Sequence, residues 1–294
     1  MILHIRDNLY KVLCKFPFLY AYYSMVVRNK YPLLVDFAFS PRPRYGYGQP
    51  PHTALYEIID RHRTAYAVLL REFLTYDTRF SNISKYEPSE KGNPFWINSW
   101  FSSIDAIALY CFICKYKPAT YLEIGSGNST KFARRAIDDN NLATRLISID
   151  PQPRAEIDAL CDRVIRQPLE NADIAKCTDL YANDIIFLDG SHRCFTNSDV
   201  AVFFPEVLPS LKPGVLCHFH DIYLPYAYPP EWNNRYYSEQ YVLAAYLLAG
   251  TEKFDVLLPN SFISRDTQLM STLLPLTAYM NPQHFSNSFW IKIK

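Results

Sequence analysis

Two groups of residues in this sequence could do chemistry side by side. The first lies in the run Tyr121-Leu-Glu-Ile-Gly-Ser-Gly-Asn-Ser-Thr130. Glu123 stands near the end of an apolar run. Gly125 and Gly127 bracket Ser126 in the turn that follows, where a residue without Cβ leaves room for a ligand and can take unusual backbone angles. Asn128, Ser129 and Thr130 then open a helix, putting hydroxyls and free N–H groups at its positive end. A further carboxylate, Asp150, closes the next apolar run, Leu146-Ile-Ser-Ile-Asp150. The second group ends two later runs: Asp189 and His192 in Ile185-Ile-Phe-Leu-Asp-Gly-Ser-His192, and His220 and Asp221 in Gly214-Val-Leu-Cys-His-Phe-His-Asp221. An imidazole with a reference pKa near 6.5 suits a general base. Two carboxylates, with an imidazole joining them, can hold a divalent metal that orients and acidifies a hydroxyl. The plainer alternative is that Asp189 and Asp221 cap loops or helix starts. His218, two residues before His220, reads as a core histidine bonded to the backbone.

Short strands must deliver these residues to one edge. Strand patterns occur at 119–124, 145–150, 162–166, 184–189, 213–219, 253–258 and 287–293. Helical patterns lie between them at 102–116, 128–139, 153–160, 195–208 and 236–249. This alternation predicts an α/β fold: a doubly wound, mostly parallel, seven-stranded Rossmann-like sheet, the last strand entering antiparallel. Ligands of such a sheet bind outside the carboxyl ends of the strands, where the strand order reverses. Neighbouring strands about 4.8 Å apart would gather Asp189, His192, His220 and Asp221 around one cleft. Ahead of this domain (94–294) lies an expected N-terminal helical extension (1–93). It comprises one or two aromatic helices to about residue 40, a Pro/Gly-rich linker or surface loop at 41–53, and a helix from 54 to about 76.

The glycine turn suits two cofactors. A dinucleotide would want a third glycine where Thr130 stands. S-adenosylmethionine (SAM) wants an acidic residue near the first strand end, here Glu123, for the methionine ammonium, and another at the second strand end, here Asp150, for the ribose hydroxyls. Glu-Ile-Gly-Ser-Gly with Ser-Ile-Asp resembles the first two motifs of class I SAM-dependent methyltransferases over roughly residues 94–294. The Asp-x-x-His pattern on one strand end and an acidic or His residue followed by Asp on the next is similar to the metal-dependent macrolide sugar O-methyltransferases and the cephalosporin-hydroxylase-like proteins. That resemblance implies SAM held by Glu123, Gly125, Ser126, Gly127, Ser129 and Asp150. It implies Asp189 and Asp221 as metal ligands and His192 as the base. His220 stands where the subgroup has Glu. An imidazole there suits Zn, Mn or Fe better than Mg and leaves the identity of any metal open.

The stretch after Asp221 is rich in Pro and aromatic residues, and lids or specificity elements occupy this position in such folds. Tyr223 and Trp232 could stack on a sugar face, Arg235 could clamp a carboxylate or phosphate, and Glu239 or Gln240 could point into the cleft behind a Ser238 cap. The resemblance extends to enzymes with a Glu-Gln-Tyr start to this helix, whose substrates are often saccharides. The expected reaction is O-methylation of a small or saccharide-like hydroxylated acceptor. The rivals are a non-catalytic SAM-binding scaffold and a nicotinamide-dependent or metal-dependent oxidoreductase on the same fold.

Composition narrows the setting. The 294 residues carry a formal net charge of +1, so no global field draws in nucleic acid or an anionic membrane. Seven scattered cysteines suggest buried thiols in a reducing, cytoplasmic compartment. Cys111-x-x-Cys114 lies in a helix-like apolar stretch without a second pair, which argues against zinc or redox work. The apolar stretch from Phe16 to Val27 is too short to span a bilayer. Lys11, Lys15, Arg28 and Lys30 flank it and would suit weak peripheral membrane contact, although a helix packed on the domain is the simpler reading. A homo-oligomer stays open.

Overall fold

The computed structural model describes residues 22, 36–38, 40–153, 155–279 and 286–294. The aromatic helices expected within residues 1–40, and the membrane contact considered for them, lie outside the described residues. The chain divides into two compact units, residues 1–41 and 42–294, and everything below concerns the second. The expected boundary at residue 93 falls inside that unit.

The elements in chain order are α1 (Thr53–Asp60), α2 (Arg63–Phe73), α3 (Asp77–Phe80), α4 (Ser103–Tyr116), β1 (Thr120–Ile124), α5 (Asn128–Asp139), β2 (Arg145–Ile149) and β3 (Arg163–Ile165). They continue with α6 (Ile174–Thr178), β4 (Ile185–Leu188), α7 (Asp199–Val202), β5 (Leu216–Phe219), α8 (Glu239–Ala249), β6 (Phe254–Pro259), α9 (Asn260–Arg265), α10 (Thr267–Thr272) and β7 (Phe289–Ile293). The strands form one sheet in the order β3-β2-β1-β4-β5-β7-β6. β1 to β5 run parallel, and β7 is antiparallel to both of its neighbours. The order reverses between β1 and β4, so a ligand crevice is expected above that pair.

Burial explains the sequence pattern. The strands of a parallel sheet are covered on both faces and read as continuous apolar runs, and β1, β2, β4 and β5 are almost wholly buried. α4 is buried on nearly every side, as a helix apolar all round should be. Cys111 and Cys114 are free and buried on it, and burial pushes the Cys114 thiol up to about 12. Helices α1 and α2 join the same core through Leu55, Ile59, Tyr66, Leu70 and Phe73.

Several expected elements differ. The 54–76 helix breaks at Arg61–His62. The expected helix at 153–160 shrinks to a single 3₁₀ turn, Asp158–Leu160. The expected helix at 195–208 begins only at Asp199, capped by Ser198, and becomes a π turn at Phe203–Val207. Pro205 inside that turn cannot donate an α-helical hydrogen bond. The helix expected from 236 starts at Glu239, because Tyr236 is left-handed (φ 54°). The 41–53 segment packs against the loop after β5: Ala227 N–H donates to the Tyr45 carbonyl (3.0 Å) and His52 N–H to that of Pro225 (3.0 Å).

Candidate active site

The parallel register aligns Ile124 with Ile149 and Leu188, and Leu188 with Phe219. The residues that follow, Gly125, Asp150, Asp189 and His220, therefore emerge side by side at the carboxyl edge.

At the reversal between β1 and β4, Gly125 has φ 82°, and a Cβ there would lie 1.9 Å from the Asp189 carbonyl oxygen. No other residue fits. Gly127 differs: its backbone is extended (φ 176°) and a Cβ would meet nothing within 4 Å. Its smallness serves the open space beyond it. Asp150 accepts from the Ser126 N–H (2.8 Å) on one oxygen and the Gln152 N–H (2.7 Å) on the other, which stiffens the glycine turn from the next strand. Ser126 Oγ meets Ser148 Oγ at 2.7 Å.

Glu123 is fully buried below the turn. It accepts from Ser129 Oγ and, at 2.5 Å, from Thr130 Oγ1, with the Tyr121 hydroxyl at 3.4 Å. Thr130 Oγ1 also accepts from Gly127 N–H at 3.0 Å. The residue in place of a third glycine thus ties strand, turn and helix together. Burial pushes the Glu123 carboxyl up to about 8, against the lowering effect of Ser129 and Thr130.

A cleft of about 380 Å³ opens above this turn. Gly125, Ser126, Gly127, Ser129, Asp150, Glu170, Asp189 and Asp199 line it, with Trp100 and Phe101 at one side. Of the six residues expected to hold SAM, five line this cleft, and Glu123 sits behind it holding Ser129. A second cleft of about 270 Å³ is lined by Asp189, His192, His220, Asp221, Tyr223, Trp232, Arg235 and Tyr237, with Tyr47 and Asn287. Trp100, Phe101 and Asp189 line both.

The second cleft holds the charged cluster. His192 Nε2 lies 3.3 Å from both Asp189 Oδ1 and Asp221 Oδ2, while its Nδ1 meets Glu239 Oε2 at 2.9 Å. His220 Nδ1 lies 3.4 Å from Asp189 Oδ1 and 3.6 Å from Asp221 Oδ1. Both His192 (φ 59°) and Asp221 (φ 56°) are held in the left-handed region, which is uncommon for residues other than glycine. His192 is fixed there because its carbonyl accepts from the N–H groups of Ser238 (2.8 Å) and Glu239 (3.2 Å) at the start of α8. Burial alone would depress His192, but Asp221, Asp189 and Glu239 hold it well above the usual imidazole range. Burial raises Glu239 to about 7 against the pull of His192. Burial would raise Asp189, yet His220 and His192 hold it below the ordinary carboxylate range.

The remaining expectations fall as follows. Glu239 is wholly buried behind His192 and does not line the cleft. Gln240 accepts from Tyr223 N–H at 2.9 Å and so pins the loop. Ser238 makes no side-chain cap on α8; its Oγ accepts from Cys194 N–H (2.8 Å). His218 is a core residue, stacked at 3.9 Å on Trp290 and 4.0 Å on Phe187, and its Nε2 meets the Ser288 hydroxyl (2.6 Å) rather than the backbone. Burial keeps it well below the usual range. The aromatic loop forms a wall: Trp232 packs edge-on to Tyr223 (5.3 Å) and Tyr237 (5.5 Å), and the Arg235 guanidinium lies 4.0 Å above its ring.

The site residues not expected from the sequence include four with distinct parts. Tyr47 and Trp100 reach it from outside the sheet, and Asn287 donates to Asp221 Oδ1 (2.8 Å). Asp105, fully buried on α4, lies 3.7 Å from His220 Nε2. The one signal for it in the sequence is a carboxylate inside the otherwise apolar run after Ser102.

Residues 122–222 match a family model described as a methyltransferase domain. No curated protein matches the chain. Among solved structures, an SAH-bound methyltransferase from Podospora anserina is 15% identical, covering 81% of this chain and 96% of that one at a TM-score of 0.40. An O-methyltransferase from Bacillus cereus in complex with SAH is 15% identical, with 77% and 91% covered and a TM-score of 0.39. CmcI with SAH is 12% identical, with 74% and 91% covered and a TM-score of 0.38. The family match runs from within β1 to just past β5 and so spans the glycine turn, Asp150 and the β1/β4 reversal: residues 122–222 of this chain carry a methyltransferase domain.

Proposed function

We propose that the chain transfers the methyl group of SAM to a hydroxyl of a small, saccharide-like acceptor, with His192 as general base. The observation that carries this reading is the shared edge of the two clefts at Trp100, Phe101 and Asp189. A cofactor in the first would present its sulfonium methyl to an acceptor in the second, beside His192 Nε2. The acceptor oxygen attacks the methyl carbon in line as the C–S bond breaks. The hydroxyl proton passes to His192 Nε2, and neutral S-adenosylhomocysteine (SAH) departs. Glu239, at Nδ1, fixes the ring and stabilises the imidazolium that forms.

Within SAM, the glycine turn would take the methionine portion and Asp150 the ribose hydroxyls. Asp189, His220 and Asp221 fit a divalent cation: one donor atom from each lies within 4.8 Å of the others, and the His220 ring offers Nδ1 to both carboxylates. Such an ion, when bound, would orient and acidify the acceptor hydroxyl and offset the carboxylates that keep His192 protonated. The aromatic wall of Tyr223, Trp232 and Tyr237 supports a saccharide acceptor, since flat rings stack on sugar faces, and Arg235 would hold an anionic substituent. The six described cysteines are all free, in keeping with a reducing compartment such as the cytoplasm. No helix among the described residues is long and apolar enough to cross a membrane.

The test is methyl transfer from labelled SAM to a panel of glycosides and other hydroxylated compounds, with and without added divalent metal. Wild type should methylate at oxygen, and His192→Gln should lower kcat by about 10²–10⁴-fold with SAH affinity retained. Tight nicotinamide-dinucleotide binding without SAH binding would sink the reading, and full activity of His192→Gln would remove its base.

A further inference from the structure

His220 is the point at which this cluster departs from a purely carboxylate one, and the groups behind its ring decide what it can bind. The residue is 4% exposed. The rings of Phe101 (5.2 Å) and Phe187 (6.3 Å) flank it. Its Nδ1 faces Asp189 and Asp221 in the second cleft, and its Nε2 faces inward, buried and without a hydrogen-bond partner. The nearest acceptor is Asp105 Oδ2 at 3.7 Å.

Asp105 is held in place from three parts of the chain. Its Oδ1 accepts from Asn260 Nδ2 (2.7 Å) and Ser288 N–H (2.9 Å), and its Oδ2 from Ser102 Oγ (2.7 Å) and Asn287 N–H (3.1 Å). Four hydrogen bonds donated to its two oxygens are the partners a carboxylate takes, and they fix its plane toward the ring. A neutral imidazole carries one N–H, and a fixed carboxylate facing Nε2 draws the proton to that nitrogen. Nδ1 then faces two more carboxylates, and an ion bound among the three would take the place of the second proton that the ring otherwise holds between them. Carboxylate-backed histidine is the usual arrangement behind an imidazole ligand.

We propose that Asp105 is the positioning residue of a transition-metal site: by facing His220 Nε2 it leaves Nδ1 to ligate Mn²⁺, Fe²⁺ or Zn²⁺ together with Asp189 and Asp221. The proposal rests on the reading of that cluster given above and extends it to the class of ion. Two carboxylates with one imidazole prefer a softer divalent ion to Mg²⁺, which favours oxygen ligands alone.

The experiment uses the full chain with SAH present and Mn²⁺ or Mg²⁺ alone as the probe. Calorimetry should give wild type a preference for Mn²⁺ over Mg²⁺ of at least about tenfold. Pulsed electron paramagnetic resonance of the bound Mn²⁺ should report coupling to an imidazole nitrogen. His220→Glu should lose that coupling and shift the preference toward Mg²⁺. Asp105→Asn should weaken Mn²⁺ binding by about 10–100-fold with SAH affinity unchanged, a change that a purely structural role would not produce selectively. Asn260→Ala, which keeps the carboxylate but loosens it, is the milder variant and should weaken Mn²⁺ binding by a smaller factor. The proposal is overturned if wild type binds neither ion or prefers Mg²⁺. It is also overturned if the coupling survives in His220→Glu, or if both Asp105→Asn and Asn260→Ala bind Mn²⁺ as wild type does. Loss of SAH binding in wild type would instead overturn the methyl-transfer reading and leave the metal measurements interpretable.

Discussion

Among single residues, Glu123 makes a prediction that needs no substrate. Its carboxyl lies wholly in the interior, where burial favours the neutral acid and raises its pKa from 4.5 to about 8. Between these values the folded chain keeps a proton that the unfolded chain releases. Stability therefore falls as pH rises through this window, the contribution being complete below 4.5 and lost above about 8. Glu123→Gln keeps the shape but cannot ionise. Urea denaturation of wild type and Glu123→Gln at pH 5, 7 and 9 should show the wild type losing stability relative to the variant as pH rises. The difference between them should reach a few kcal/mol, because each tenfold change in proton affinity is worth about 1.4 kcal/mol. A pH-independent difference would mean that Glu123 is ionised in the apo fold. Its partners Ser129 and Thr130 would then be solvating a charge rather than an acid.

Among elements, the two glycines of the β1–α5 turn look alike in sequence and differ in what they do. Gly125→Ala adds a Cβ into the Asp189 carbonyl and strains a backbone at φ 82°. It should destabilise the fold by about 1–3 kcal/mol or more. Gly127→Ala meets no atom of the protein and sits on extended backbone. Its melting temperature should hold while SAH affinity falls, because the added methyl occupies space in the first cleft. Equal destabilisation of the two would contradict the register of β1 against β4. The same turn marks how much could be read in advance. The strands ended within a few residues of their apolar runs because a covered parallel sheet leaves little choice of register, and β7 entered antiparallel as its missing crossover helix implied. The helix expected at 195–208 was less legible because Pro205 lies inside it, and hydrophobic spacing carries no record of a missing N–H. The supports behind the site were least legible. Glu239 is 47 residues from His192 in sequence, and Asp105 meets Asn260 and Ser288 across separations of 155 and 183 residues. Such pairings depend on the completed sheet, and no local pattern encodes them.

At the scale of the whole molecule, the sheet divides the work across its width. β1 and β2 carry the glycine turn and Asp150 on one side of the reversal. β5 and β7 bring His220, Asp221 and Asn287 on the other, and β4 supplies Asp189 between them. β7 is central to the second half: Asn287 and Ser288, just before it, donate to Asp105, Asn287 also holds Asp221, and Trp290 stacks on His218. Ligand effects should partition along the same line. Asn287→Ala should raise the acceptor KM without altering SAH affinity, because it touches only the second cleft. Trp100 lines both clefts and is 62% exposed, so Trp100→Ala should cost little stability, raise the acceptor KM and weaken SAH binding together. Calorimetry with SAH and steady-state kinetics with the acceptor would measure the two effects on one preparation. If Trp100→Ala changed only one of them, the clefts would not form a continuous path for the methyl group, and cofactor and acceptor would have to meet elsewhere than at Asp189.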